Sequence, residues 1–299
     1  MSSITIYQID SFTREKFKGN PAGVVLNAKG LTESRMQQIA RELNNSETAF
    51  VFPSTENDYD AEVRYFTPRT EVPVCGHATI AALYAMAVEN KLKACTIRIK
   101  TKVGILPIEI IPVEEDYQVV MTQGKFELLP SFDASTSGNI IKALGLTSTD
   151  LNPACHVQIA STGHSKVMIG INSRQTLNRL TPNMHELAQI SKIIGCNGYF
   201  VFTFDSDSAS ILTHGRMFAP AIGIEEDPVT GNANGPLGGY LVENKLVPFN
   251  DKLEFWGAQG EAINRQGMMQ VKVEIKNGRP SVIRIKGEAV IVFKAEMEV

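Results

Sequence analysis

"RYFTPRTEVPVCGHATIAA", residues 64–82, has a looser second copy in "RMFAPAIGIEEDPVTGNANGP", residues 216–236. Arg-x-Phe-x-Pro recurs at an offset of 216 − 64 = 152, and Glu-x-Pro-Val-x-Gly at 226 − 71 = 155. Two earlier landmarks keep the same order. "ETAFVF" (47–52) matches "NGYFVF" (197–202) at an offset of 150, and "GNPAGVV" (19–25) matches "GHSKVMI" (163–169) as a glycine turn entering a strand. Four ordered matches about half a chain apart describe a domain duplication, because solenoid repeats have far shorter periods.

Working outward from these landmarks, each half reads alike. In the first, strands are expected near "ITIYQIDSF", "AGVVLN", "TAFVFP" and "AEVRYFT", with helices near 32–44 and 77–90. "CTIRIKTKVGILPIEIIP" alternates as two strands turned at Gly104, and "YQVVMTQ" follows. "GKFELLPSFDASTSG" (124–138) reads as a polar connector, and three β-rich runs close the chain. "ATIAALYAMAV" is apolar on all sides, which suits a helix buried inside a curved sheet. The expected fold is therefore α+β, with two similar domains, each a curved sheet or barrel around a central helix. The expected boundaries are 1–125 with about 288–299, and 126–287.

The 299 residues are 43% hydrophobic and 20% charged, a globular composition, and the net charge of −3 gives no electrostatic case for nucleic acid or membrane. No apolar run reaches the roughly 20 residues a bilayer needs. The N-terminus lacks a basic region followed by an apolar core, and the four cysteines are dispersed without zinc-type spacing. A cytoplasmic protein with reduced thiols is expected, with neither a metal nor a cofactor.

In both halves a proline turn leads through a glycine, Gly76 or Gly231, into a helix. Helix starts leave N–H groups unpaired and favour an anion, so the two turns are either ordinary punctuation or a paired cradle for a small carboxylate. His77 and its counterpart Asn232 can both donate and accept, as structural residues or as a ligand-orienting pair. Glu47 is matched by Asn197 and Asp227 by Val72, so each acid occurs in one half only. A single-base proton transfer needs one such acid; the alternatives are a solvated loop glutamate and an Asx turn at Asp227.

"DSFTREKFKGNPAGVV", "ARELNNSETAFV", "CGHATIAA" and "EEDPVTGNANGP", among others, resemble the PhzF-type isomerases in the branch around the YddE protein. The resemblance implies the fold of diaminopimelate epimerase, with the active site in the cleft between the domains and the final strand returning to the first domain. It implies Glu47 as general acid/base, Asp227 and His77 as further catalytic groups, and Ser46, Gly76, Thr230, Gly231 and Asn232 as substrate-binding positions. Asn232 departs from the serine of phenazine-pathway members. The related epimerases use two thiols, but here Cys75 is matched by Thr230, too weak an acid to replace one. The expected activity is a cofactor-independent proton shift on a small carboxylate metabolite, with a homodimer admitted by the resemblance. The rivals are an amino-acid epimerase or racemase, and a non-catalytic binding protein of the same fold.

Overall fold

The computed structural model describes residues 3–298, which fall into two compact units: residues up to Thr122 together with those from Lys286, and Gln123–Ile285. The first unit holds β1 (Ser3–Ser11), β2 (Asn20–Val25), α1 (Glu33–Leu43), β3 (Glu47–Pro53), β4 (Ala61–Phe66), β5 (Glu71–Val72), α2 (Gly76–Asn90), β6 (Cys95–Thr101), β7 (Gly104–Val113) and β8 (Asp116–Thr122). The chain's last strand, Ala289–Glu298, pairs antiparallel with β1. From there the sheet runs β1, β2, β3, β4, β6, β7, β8, with β2–β3 and β4–β6 parallel.

Helix α2 is mostly apolar, and Ala78–Ala85 are buried without a break. It packs on the last strand and β1 at one end of the sheet order and on β7 and β8 at the other, so the sheet curls around it. Helix α1 is amphipathic instead. Thr32 caps its start, accepting from the Arg35 N–H, and its Met36, Ile39 and Ala40 face pack with Ile6, Val25, Phe50 and Phe66.

The second unit holds β9 (Glu127–Leu128), α3 (Ala134–Ala143), β10 (Gln158–Ser161), β11 (Lys166–Ile171), α4 (Arg174–Arg179), α5 (Met184–Ile194), β12 (Tyr199–Thr203), β13 (Ile211–Ala219), β14 (Ile224–Asp227), α6 (Gly231–Glu243), β15 (Lys252–Gln259), β16 (Gly267–Lys276) and β17 (Arg279–Gly287). Its pairing repeats the first unit strand for strand. β11–β12 is parallel like β2–β3, β12–β13 and β13–β14 are antiparallel like β3–β4 and β4–β5, and β13–β15 is parallel like β4–β6. Helix α6, buried from Ala233 to Val242, packs on β10, β11, β15 and β16 as the second central helix.

The expected connector 124–138 is corrected here. It contains β9, which pairs with β10, and the start of α3, whose Asp133 caps it by accepting from the Thr136 N–H. Ser, Thr and Gly in the first turns gave "ASTSG" the composition of a linker, yet the cap and the burial of Ile140 and Ala143 hold it helical. Among the described residues no helix is long and apolar enough to cross a membrane.

Candidate functional site

In the first unit the chain leaves α1 through Asn44, in the left-handed region at φ 52°, and enters β3 three residues later. Asn45 and Gln8 fix this corner by reciprocal amide hydrogen bonds of 2.8 and 3.0 Å. Ser46 and Glu47 follow directly. Glu47 opens β3 opposite Ala22 of β2, which brings it to the start of α2. There the Glu47 Oε2 lies 3.3 Å from His77 Nε2, with the two side chains 13% and 8% exposed. Ser46 Oγ lies 3.2 Å from the same nitrogen. Cys75 Sγ is 3.5 Å from Nδ1 of the same ring and 3.9 Å from Nε2.

The start of α2 is anchored from beneath. Ser11 Oγ donates to the His77 carbonyl at 2.8 Å and Thr79 Oγ1 to the Cys75 carbonyl at 2.7 Å. Tyr65 of β4, wholly buried and therefore raised well above the usual phenol pKa, hydrogen-bonds Thr79 at 2.6 Å. Cys75 is the N-cap residue but caps nothing with its side chain. A Cβ placed on Gly76 would meet no atom within 4 Å, so the helix start has open space in front of it.

The second unit gathers a different set at the start of α6. Asp227 ends β14 and accepts from the Thr230 hydroxyl through a short hydrogen bond. Gln259 of β15 knits the turn together: its amide donates to the Asp227 carbonyl at 2.7 Å and to Thr230 Oγ1 at 3.1 Å. Its own oxygen accepts from the Thr230 N–H and from Asn234 Nδ2, both at 3.1 Å. Gly231 is buried and Asn232 half-buried. The Thr230 hydroxyl is thus engaged by Asp227 and Gln259. Sequence reasoning missed Gln259 and Asn234, and only Asn234, inside the repeated motif, offered any signal.

Glu47, Cys75 and His77 also place one donor atom each within 4.8 Å of one another. Carboxylate, thiolate and imidazole are donors that Zn²⁺ takes. The expectation of no metal rested on the lack of a partner at local spacing; the fold brings Glu47 across 75 − 47 = 28 positions. A divalent cation there would occupy the same lone pairs that proton transfer needs. A separate cavity of about 480 Å³, beside Thr5, Tyr7, Asn27 and Lys29, has none of these cluster residues in its wall.

Residues 9–295 match the family model described as phenazine biosynthesis-like protein, PhzC-PhzF. A protein of Clostridium acetobutylicum named as an uncharacterized isomerase is 56% identical over 98% of this chain and 97% of its own. The uncharacterized isomerase YddE of Escherichia coli K12 is 46% identical, with 97% of each chain covered. More distantly, the trans-2,3-dihydro-3-hydroxyanthranilate isomerase of Pseudomonas aeruginosa is 29% identical over 93% of this chain and 94% of its own. Among solved structures, the Bacillus anthracis phenazine biosynthesis protein of the PhzF family superposes with a TM-score of 0.91 at 32% identity, covering all of both chains.

Proposed function

Since the chain belongs to the phenazine biosynthesis-like PhzC-PhzF family and is an isomerase, we propose that it moves a proton on a small carboxylate-bearing metabolite with Glu47 as its single acid/base. The observation that carries this reading is the corner of Glu47, Ser46 and His77, with open space at Gly76 beside it.

Glu47 takes a proton from a carbon next to an unsaturated or carbonyl group, the C–H electron pair shifts into the conjugated system, and the same carboxyl returns the proton at another carbon. His77 Nε2, held near both Ser46 and Glu47, orients the carboxylate and can hydrogen-bond the delocalised anion. Asp227 is the polar group of the second cluster. Thr230 serves as its positioning residue rather than as a ligand contact, because its hydroxyl is already engaged. Within the first unit Gly76 offers helix-start N–H groups to an anion, and within the second Gly231 and Asn232 offer N–H groups and an amide.

The test is an NMR screen of unsaturated carboxylates and amino acids in deuterated water. Double-bond migration with deuterium incorporation in the native enzyme, lost by at least a factor of about 10² in Glu47→Gln, is expected for a general base. Native turnover in Glu47→Gln would refute the reading. The epimerase reading draws on the 3.5 Å approach of Cys75 to His77. It predicts inversion at one carbon and total loss in Cys75→Ser, whereas a proton shift through Glu47 leaves Cys75→Ser active.

A further inference from the structure

Lys166 is the first residue of β11, and it is only 8% exposed. Its stem lies flat across Gly198: a Cβ built there would stand 2.3 Å from Lys166 Cδ and 2.8 Å from Cε. Any side chain at 198 would evict the lysine. The ammonium has three donors, and one of them reaches the Ser165 carbonyl at 3.1 Å. Among the described residues no other hydrogen bond or ion pair takes it up. A buried cation in that condition is costly unless a partner arrives. Burial accordingly lowers the Lys166 pKa below the usual lysine value, while the nearby Cys196 and Asp227 pull it back up.

The duplication says what this corner corresponds to. Val24 pairs with Ala49 in the first unit and Val167 with Tyr199 in the second. Ala49 and Tyr199 are repeat partners at 199 − 49 = 150, so by strand register Val24 matches Val167, Gly23 matches Lys166 and Thr48 matches Gly198, one residue away from the alignment of the sequence motifs, which sets Ala22 against Lys166. The steric roles are exchanged. In the first unit a Cβ on Gly23 would lie 2.8 Å from Thr48 Oγ1; in the second the glycine stands just ahead of the neighbouring strand β12 and the long side chain is on β11. Glu47 adjoins Thr48, and its counterpart Asn197 adjoins Gly198. The same strand corner therefore carries a carboxylate in one copy and an ammonium in the other. A packing residue would not need to be lysine, since an apolar chain of equal length fills the groove without a buried charge.

We propose that Lys166 is the anion anchor of the second unit, its ammonium binding a carboxylate of the ligand above Gly198. The proposal rests on the reading of the ligand as a carboxylate and adds the residue that neutralises it. Burial lowers the Lys166 pKa, Asp227 acts in the opposite direction and favours the ammonium, and the ligand's carboxylate supplies the hydrogen-bond acceptors the ammonium lacks.

The full chain labelled with ¹⁵N at lysine side chains is titrated with malonate, with uncharged malonamide and with inorganic phosphate, following the lysine ammonium resonances. One buried ammonium signal should shift saturably with malonate and stay still with malonamide. Lys166→Met should abolish that signal and weaken malonate binding at least about tenfold. Absence of a saturable malonate shift, an equal response to malonamide, or a response to phosphate alone each overturns the assignment. If Lys166→Met fails to fold, the native titration decides by itself. Glu47→Gln is the discriminating control. Malonate binding intact with exchange unaffected by Glu47→Gln sinks only the proton-transfer reading; Glu47-dependent exchange with no malonate response sinks only the anchor.

Discussion

Replacing Arg216 by Met should cost the second unit about 3–5 kcal/mol, the usual penalty for stranding one member of a buried ion pair. Arg216 donates Nε and Nη2 to the two oxygens of Glu226 at 2.9 and 2.7 Å. Its Nη1 donates to the carbonyls of Leu177 and Leu180 at 3.0 and 2.9 Å, and the guanidinium lies 4.9 Å above the Phe218 ring. The pair is 8% and 11% exposed, so water cannot readily replace the lost partner. The repeat supplies an internal control. Arg64 makes the same fork to Glu71 and the same stack on Phe66, but it is 23% exposed, and Lys102 also pairs with Glu71. Arg64→Met should therefore cost only about 1–2 kcal/mol. Urea unfolding followed by Trp256, the chain's single tryptophan and part of β15, reports the second unit directly. Circular dichroism reports both units. Arg216→Met with Glu226→Leu should recover most of the loss, because no charge is then stranded. A loss below about 1 kcal/mol in Arg216→Met, or one no larger than in Arg64→Met, would refute the burial argument.

Four further outcomes are expected. Gly76→Ala should change stability by no more than about 0.5 kcal/mol, since its Cβ meets nothing, while turnover falls because the methyl occupies the ligand's approach; unchanged turnover would remove Gly76 from the site. Gly260→Ala should cost more than about 2 kcal/mol by thermal melt, with φ at 84° and a Cβ 2.2 Å from the Arg265 carbonyl. In native protein a disulfide reagent should label exposed Cys95 first, with Cys155 protected because burial pushes its thiol up to about 11; mass mapping that finds Cys155 first would contradict the packing around it. Glu71, held below the usual glutamate range chiefly by its hydrogen bonds to Arg64, stabilises the fold above that range and loses its contribution as pH falls through the lowered folded pKa. Arg64→Met should therefore move acid unfolding to higher pH in a circular dichroism titration, and an unmoved midpoint would count against the pair.

What could be read from the sequence was whatever is periodic or repeated. The apolar run of α2, the turn at Gly104 and the duplicated Arg-x-Phe-x-Pro and Glu-x-Pro-Val-x-Gly motifs each declare themselves within about twenty residues. The Arg–Glu fork was present in the letters of both copies, but pairing Arg216 with Glu226 needs the β13–β14 hairpin, which places Met217 opposite Asp227. Gln259 gives no sequence signal, because it reaches Thr230 only through the parallel pairing of β13 with β15 that carries it back beside the turn. The donor triangle of Glu47, Cys75 and His77 was hidden for the same reason.

The distribution of what is shared and what differs argues about mechanism more strongly than any single contact. Both copies keep the parts that build a frame: the strand pairings, the Arg–Glu fork stacked on phenylalanine, and the glycine opening the buried helix. They differ at the positions around that helix start: Glu47 against Asn197, His77 against Asn232, Cys75 against Thr230, Val72 against Asp227, Gly23 against Lys166. A two-thiol epimerase needs matched acids in both copies, since each face of the carbon is served by the same chemistry. Here one copy holds a carboxylate beside an imidazole, and the other a buried ammonium with a hydrogen-bonded aspartate. Cys75 is matched by Thr230 in the repeat, so the two copies lack the matched thiols on which such an epimerase relies.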